Sequence, residues 1–125
     1  MVNICLYFNM NQQHILRKFT VFDIGKSSEY FDSKIEDISK SFYIPLNRAI
    51  LKLLNNNLNF KVSYSISGST LEQLEKKSPD VIQTFKDLSE TGKVEFLSQT
   101  YSDSLAYFYS KKEFKEQIKL KPFQI

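Results

Sequence analysis

The sequence has one cysteine, one histidine and three glycines, and these scarcities exclude several kinds of site. Cys5 has no second thiol, so an internal disulfide is excluded and a reducing compartment, the cytoplasm, is favoured. Because Cys5 falls in an apolar stretch, we expect a buried, inert thiol. His14 shares no metal-ligand spacing with Asp23 or Glu29, so we predict no metal and no cofactor.

Long apolar runs and an excess of one charge are also missing. No apolar run approaches the roughly 20 residues that a membrane helix needs, and the N-terminus lacks the basic start of a signal peptide. The net charge is only +3, with lysines interleaved among acidic residues, which is typical of a solvated surface. We predict a soluble protein that binds neither nucleic acid nor membranes, and the Lys-rich segment 111–121 is typical of a docking helix.

Three segments alternate apolar and polar residues with the period of a β-strand. They span residues 2–10, 60–67 and 94–100. In the first, we place Val2, Ile4, Leu6, Phe8 and Met10 on one side. A polar loop is expected from Asn11 to about Asp32. The 125 residues fit one domain, 1–125.

Helical patterns separate and follow the strands. Capping boxes at residues 33–36, 69–72 and 110–113 each predict a helix start, and Pro45 and Pro79 suit the first turn of further helical pieces. Gly92 suits a helix end. The apolar positions expected to face inward are Ile35, Ile38, Phe42, Leu46, Ile50, Leu53, Leu54, Leu71, Leu74, Val81, Ile82, Phe85, Leu88, Phe114, Ile118 and Leu120.

Strands separated by helices cannot pair as hairpins, so the sequence predicts an α/β fold of three successive βα units around a parallel sheet. All three strands then end at the same edge. The polar residues expected there are Asn9, Asn11, Ser65, Ser67, Gly68, Glu95, Gln99 and Asp103. We interpret this edge as a weakly acidic mouth that binds a ligand rich in hydroxyl groups.

Two readings of the carboxylates Glu95 and Asp103 stay open. A few ångströms apart, they would serve as a general acid and base. Alternatively, Glu95 forms hydrogen bonds at the sheet and Asp103 caps the turn at 104–107. The turn at 65–70 offers backbone N–H groups to an anion, but it lacks both the glycine spacing of a dinucleotide fingerprint and the P-loop lysine.

Several segments resemble the N-terminal part of glycoside hydrolase family 57. They include Tyr43-Ile44-Pro45-Leu46-Asn47, Ser65-Ile66-Ser67-Gly68 and Thr91-Gly92-Lys93-Val94-Glu95-Phe96-Leu97. The resemblance covers nearly the whole chain. It implies an α-glucan hydrolase or transferase with a retaining mechanism, and a fold that is the first part of an incomplete (β/α) barrel of seven strands.

The resemblance also implies site residues. The family motif Gly-x-hydrophobic-Glu-hydrophobic is intact at 92–96, so Glu95 is expected to contact sugar. The His-Gln-Pro motif reads Asn11-Gln12-Gln13, which keeps only Gln12, and Glu-Thr-Tyr-Tyr-His-Ser reads Gln99-Thr100-Tyr101-Ser102-Asp103-Ser104. The substrate-binding candidates are therefore Asn11, Gln12, Glu95, Gln99 and Asp103.

No catalytic residue is expected within the chain. In the family that the sequence resembles, the nucleophilic glutamate and the acid/base aspartate lie on later strands, beyond residue 125, and a retaining enzyme needs both. We therefore predict a family 57-like domain that is catalytically incompetent alone and binds an α-glucan or oligosaccharide. The alternative is a non-enzymatic interaction module that forms a homo-oligomer, or binds a complementing partner chain, through its open sheet edges.

Overall fold

A computed structural model describes residues 3–12, 15–16, 18, 20–23, 31–32 and 34–120. Within them, a parallel sheet has the strand order β1-β4-β5. The strands are β1 (Tyr7–Met10), β2 (Ile15–Leu16), β3 (Phe31–Asp32), β4 (Val62–Ile66) and β5 (Val94–Leu97). The predicted α/β fold with a parallel sheet is confirmed. The antiparallel pair of β2 and β3 lies where we expected only a polar loop.

Helices connect and follow the strands of the parallel sheet. They are α1 (Ile35–Ile38), α2 (Ile44–Asn56), α3 (Gly68–Lys77), α4 (Pro79–Glu90), α5 (Ala106–Tyr109) and α6 (Lys111–Leu120), with a π-helical segment at Ser39–Tyr43 and a 3-10 turn at Val21–Asp23. Gly92 has φ +68°, the left-handed conformation expected of a glycine after a helix.

One face of the sheet packs against the helices. Phe8, Tyr64 and Phe96 form a row across the three strands, with ring centroids 5.1 and 5.9 Å apart. Phe85 of α4 meets Tyr64 edge-on at 5.7 Å. The buried hydrophobic core consists of Met10, Ile35, Tyr43, Ile50, Leu54, Val62, Tyr64, Ile66, Leu71, Leu74, Val81, Phe85 and Leu88.

The opposite face is polar apart from Leu97. Its two rows are Tyr7–Ser63–Glu95 and Asn9–Ser65–Leu97, and we call these six residues the polar face. Tyr7, Asn9, Glu95 and Leu97 are exposed, whereas Ser65 is buried among polar neighbours. The alternation of β4 therefore separates an apolar core face from a polar face that carries hydroxyl groups, as its sequence predicted.

The first strand is shorter than predicted, and its start lies outside the core. Ile4 is 82% exposed, Leu6 is 40% exposed and the Cys5 thiol is exposed, so the expectation of a buried cysteine is wrong. β1 is an edge strand whose partner, β4, begins only at Val62. The Leu6 carbonyl still accepts the Ser63 N–H at 3.1 Å, but the residues before it extend beyond the partner strand.

The predicted break at Pro45 is a widened helical turn instead. Ile44 keeps helical angles, and its N–H donates to the carbonyl of Ser39, five residues back, which is the π pattern. Such a turn takes an extra residue, so the inward position moves from Phe42, which is 52% exposed, to Tyr43, which is buried. The predicted inward position of Phe42 is wrong for this reason.

The predicted inward positions of Leu53 and Ile118 are also wrong, and the burial of Asn47 was not predicted. Leu53 is 45% exposed, whereas Asn47 is buried one turn before Ile50 on the inward side of α2. The Asn47 amide has its own partners: Tyr64 Oη donates to Asn47 Oδ1 at 3.2 Å, and Asn47 Nδ2 donates to Thr84 Oγ1 at 2.9 Å. In α6, Ile118 is 40% exposed.

The last two helices lie at the surface. Tyr107 of α5 packs edge-on against Phe114 of α6, with ring centroids 5.3 Å apart. None of the residues of α6 is buried. Leu120 is 64% exposed, so its predicted inward position is also wrong, because α6 packs on α5 rather than on the sheet.

Candidate functional site

The carboxyl ends of the three parallel strands bring together side chains that are far apart in sequence. Asn11 Nδ2 donates to Asp103 Oδ2 at 2.8 Å, and Ser67 Oγ donates to Asn11 Oδ1 at 2.9 Å. These bonds join the segments that follow β1, β4 and β5. We call Asn11, Gln12, Ser67, Gln99 and Asp103 the mouth cluster.

Below these residues, Ser65 connects the mouth cluster to the polar face. Its Oγ lies 2.6 Å from Tyr7 Oη, 3.2 Å from Asn9 Oδ1 and 3.3 Å from Gln99 Oε1. The Gln99 Nε2 amide nitrogen is buried and has no hydrogen-bond partner within the described residues. A buried donor without a partner costs about 1–3 kcal/mol, so this amide favours a ligand or other group that can accept its hydrogen bond.

Backbone hydrogen bonds hold Gln12 at the mouth. Its N–H donates to Thr70 Oγ1 at 2.7 Å, and its carbonyl accepts from Gln73 Nε2 at 2.8 Å. Both partners lie on α3, so the segment after β1 is fixed to the helix that follows β4. Four of the five predicted binding residues, Asn11, Gln12, Gln99 and Asp103, therefore lie at one end of the sheet.

Glu95 lies elsewhere, and its predicted place at the carboxyl edge is wrong. Glu95 shares a row of the sheet with Ser63 and Tyr7. Tyr7 stands four residues before Asn11, so this row lies roughly 13 Å from Asn11 along the strand direction. It is exposed on the polar face, and it also lines an open groove of about 640 Å³ at the amino ends of the strands, beside Cys5 and Lys93. The position of Glu95 along the sheet is set by the register of β5 against β4, which the sequence motif does not encode.

The separation of Glu95 from Asp103 bears on acid–base chemistry. Asp103 follows β5 and bonds Asn11, which stands four residues, roughly 13 Å, farther along the chain than Tyr7 in the row of Glu95. Paired carboxylates of glycosidases lie about 5 Å apart in retaining enzymes and about 6.5–9.5 Å apart in inverting ones. This arrangement does not support a catalytic pair formed by Glu95 and Asp103.

The N-terminus of α3 has its own internal partners. Ser67 is the N-cap, with its Oγ accepting from Thr70 N–H at 3.3 Å, so the cap lies two residues before the predicted Ser69. The Ser69 N–H donates to the Tyr101 carbonyl at 3.0 Å. Since these N–H groups are engaged within the chain, the geometry does not favour the anion site considered from sequence.

Tyr101 lies between two residues of the mouth cluster and was not among the predicted binding residues. Its hydroxyl donates to Glu72 Oε2, and this hydrogen bond, burial and the negative charge of Glu72 together raise the pKa of Tyr101. The signal was present in the segment 99–104, where Tyr101 stands between two predicted binding residues. Its partner on α3, 29 residues away, could not be identified without the fold.

The described residues contain no group of three or more His, Cys, Asp and Glu side chains arranged to hold a metal ion. His14 and Glu29, which were considered from sequence, lie outside the described residues. In the part of the chain with assigned structure, no helix has the length and apolar character needed to cross a bilayer.

Comparison with known families matches residues 5–122 to the model of glycosyl hydrolase family 57. The chain belongs to this family. It is 35% identical over 124 residues to a Methanocaldococcus jannaschii protein named "Putative alpha-amylase", an alignment that covers 90% of this chain and 26% of that protein. It is 33% identical over 85 residues to an alpha-amylase of Pyrococcus horikoshii, covering 68% of this chain and 13% of that protein.

A solved structure shows the same fold. The 4-alpha-glucanotransferase of Thermococcus litoralis superposes with a TM-score of 0.54 at 17% identity, over 91% of this chain and 16% of that one. At this identity the similarity concerns the fold. The family 57 chain thus spans about a quarter of the length of its Methanocaldococcus relative and about a sixth of the glucanotransferase.

Proposed function

We propose that this family 57 chain binds an α-glucan or maltooligosaccharide across its polar face and mouth cluster, through Asn11, Gln12, Glu95, Gln99 and Asp103. The observation that carries this proposal is the polar face itself. Three parallel strands place hydroxyl, amide and carboxylate groups on the side opposite the helices, with their carboxyl ends joined by the Asn11–Asp103 hydrogen bond. These groups match the donors and acceptors of a sugar hydroxyl.

The proposal includes the absence of catalysis by this segment alone. What supports this is that Glu95 lies within β5, in the row of Tyr7, whereas Asp103 follows the strand and bonds Asn11, four residues farther along the sheet. The segment would then contribute substrate contacts without making or breaking the glycosidic bond. The exposed Cys5 thiol suits the reducing environment of the cytoplasm, which we propose as its location.

Titration with maltoheptaose tests binding. Glu95→Gln removes a charge from the polar face, and we expect it to weaken maltoheptaose binding about tenfold, the effect of losing one charge-assisted hydrogen bond. Glu90→Gln is the matched control, because Glu90 is exposed at the end of α4. Equal affinities of Glu95→Gln and the parent chain would contradict the assigned contact.

A reducing-sugar assay tests the catalytic part of the proposal. We expect the chain to release no reducing sugar from soluble starch or maltoheptaose at concentrations that saturate binding. Turnover by the parent chain that disappears in Glu95→Gln would contradict the proposal. Glu90→Gln again serves as the control for an effect of the lost charge alone.

A second function, association through the sheet edges, is favoured by one specific observation. β1 and β5 are the edge strands of the parallel sheet, and the large apolar residues Ile4 and Leu6, just before β1, are exposed. Open parallel edges pair readily with another chain. Light scattering across a concentration series tests whether copies of the chain self-associate, and a constant monomer mass would contradict the homo-oligomer.

A further inference from the structure

The ring of Tyr101 occupies the space where a larger residue at position 68 would place its side chain. A Cβ added to Gly68 would come within 2.4 Å of Tyr101 Cδ2 and 3.1 Å of Tyr101 Cε2. Such distances cannot be accommodated without displacing the ring. Gly68 therefore serves here to let the Tyr101 ring approach the backbone of α3 closely.

Two hydrogen bonds hold Tyr101 at this position. The Tyr101 carbonyl accepts the Ser69 N–H at 3.0 Å, and the Tyr101 hydroxyl donates to Glu72 Oε2. The other carboxylate oxygen of Glu72 accepts from Lys76 Nζ at 3.0 Å, which is an ion pair within α3. The backbone, ring and hydroxyl of Tyr101 thus all contact the first turns of one helix.

These contacts fix the segment after β5 relative to the other two strands. Gln99 and Asp103 stand two residues before and two residues after Tyr101, and they bond Ser65 of β4 and Asn11 after β1, respectively. Within the same segment, Thr100 is buried and its Oγ1 accepts the Ser104 N–H at 2.9 Å. Any movement of Tyr101 away from α3 would carry both flanking mouth residues with it.

We propose that Tyr101 is a positioning residue that sets the geometry of the mouth cluster, by way of its contacts with Gly68 and Glu72. Tyr101 itself need not touch the glucan. Its role is to hold Gln99 and Asp103 where a ligand meets them together with Asn11. This proposal rests on the proposed glucan site, but its geometric part can be measured without any ligand.

The first experiment measures the geometry alone by NMR. Tyr101→Phe keeps the ring over Gly68 and removes only the hydroxyl that bonds Glu72. We expect the Asn11 side-chain amide signals to move and the Ser69 and Ser104 N–H groups to exchange at least about tenfold faster, because a hydrogen bond that fixes their segment is lost. Unchanged signals and exchange rates in Tyr101→Phe would overturn the positioning role.

Tyr109→Phe is the matched control, since it removes the hydroxyl of a residue that is 89% exposed and lies on α5, outside the mouth cluster. It should leave the Asn11 signals and both exchange rates as they are. Gly68→Ala is an independent perturbation of the contact between Gly68 and the Tyr101 ring, because it changes Gly68 and leaves Tyr101 intact. We expect it to displace the Tyr101 ring and to move the same Asn11 signals, and unmoved signals in a folded Gly68→Ala protein would also overturn the proposal.

The second experiment measures maltoheptaose affinity. Tyr101→Phe should weaken binding at least about tenfold, as expected for losing a hydrogen bond to a charged group that orders a site, while Tyr109→Phe should bind like the parent. Parent-like affinity in Tyr101→Phe would overturn the positioning role. If the parent chain binds no maltoheptaose, the proposed function fails, and the NMR comparison alone decides the role of Tyr101.

Discussion

The buried hydrogen bond between Tyr64 and Asn47 gives the sharpest test of how the helices are fixed on the sheet. Tyr64 lies at the centre of β4, is fully buried, and donates from its hydroxyl to Asn47 Oδ1 on α2 at 3.2 Å. Tyr64→Phe keeps the ring contacts with Phe8, Phe85 and Phe96 but leaves the Asn47 carbonyl without this donor. The substitution therefore isolates one polar contact in an otherwise apolar layer.

The expected cost follows from burial. Leaving a buried acceptor unsatisfied costs about 1–3 kcal/mol, and a chain of this size loses roughly 4 °C of melting temperature for each kcal/mol. Tyr64→Phe should thus lower the melting temperature by roughly 4–12 °C. Asn47→Leu should also destabilise the protein, since it leaves the Tyr64 hydroxyl buried without its acceptor.

The double variant distinguishes the cost of an unsatisfied buried polar group from a simple loss of packing. In Tyr64→Phe/Asn47→Leu neither buried group needs a partner, and Thr84 Oγ1 keeps its bond to the Val81 carbonyl at 2.6 Å. We expect the double variant to be less destabilised than the sum of the single variants, by about 1–3 kcal/mol.

The coupling between Tyr64 and Asn47 is measured by urea unfolding of the parent, the two single variants and the double variant, followed by circular dichroism. Tyr109→Phe is the control for a lost hydroxyl at an exposed position, and it should change the free energy of unfolding by less than about 0.5 kcal/mol. Additive effects of Tyr64→Phe and Asn47→Leu would show that the Tyr64 hydroxyl and the Asn47 amide are not coupled, which would contradict the prediction.

Three further predictions follow from local features. Ser67→Ala should cost about 0.5–2 kcal/mol of unfolding free energy by removing the cap of α3; thermal melts in which Ser69→Ala is the more destabilising would contradict the assigned cap. Cys5 should react with a disulfide reagent in the native state as completely as in urea, because its thiol is exposed; protection from the reagent would contradict this placement. Burial raises the pKa of Tyr64 above its usual value of about 10. The protonated Tyr64 side chain therefore stabilises the fold in full below pH 10, and this contribution is lost as the pH rises through the raised pKa. Above pH 10 the unfolding free energy of the parent protein should therefore fall more steeply with pH than that of Tyr64→Phe, by about 1.4 kcal/mol per pH unit. Equal slopes for the two proteins, measured from pH 9 upward, would contradict this prediction.

The sequence predicted those parts of the fold that depend on local patterns. The alternation at 60–67 predicted β4 and both of its faces, because one set of side chains had to be apolar and the other polar. The glycine at position 92 predicted the helix end for a conformational reason, and its positive φ confirms it. Both features are decided within a few residues, so no knowledge of distant contacts was needed.

Two expectations failed for different reasons, one because of a partner strand far along the chain and one because of a local helical turn. The strand around Cys5 looked apolar, but burial required a neighbour that β4 does not provide before Val62. Phe42 lost its inward position because the π turn before Pro45 shifts the helix face.

The candidate site was predictable to a similar degree. Strand direction alone predicted that Asn11 and Asp103 would lie at the same edge of the sheet, and their hydrogen bond shows that they are in contact there. The position of Glu95 along the sheet depends on the register between β4 and β5. This register pairs Glu95 with Ser63 and does not place it at the carboxyl edge. Tyr101 was missed because its contacts with Gly68 and Glu72 cross from one strand–helix unit to another.

The proposed α-glucan site comprises the polar face and the mouth cluster. An NMR titration of the ¹⁵N-labelled chain with maltoheptaose detects binding at this site residue by residue, with cellohexaose as the control sugar. Binding at the proposed site should produce saturable shifts at the backbone amides of residues 9–12, 65–70 and 95–104, and at the Gln99 side-chain amide, with maltoheptaose alone. No shifts, or shifts confined to the outer surfaces of α2 and α4, would contradict it.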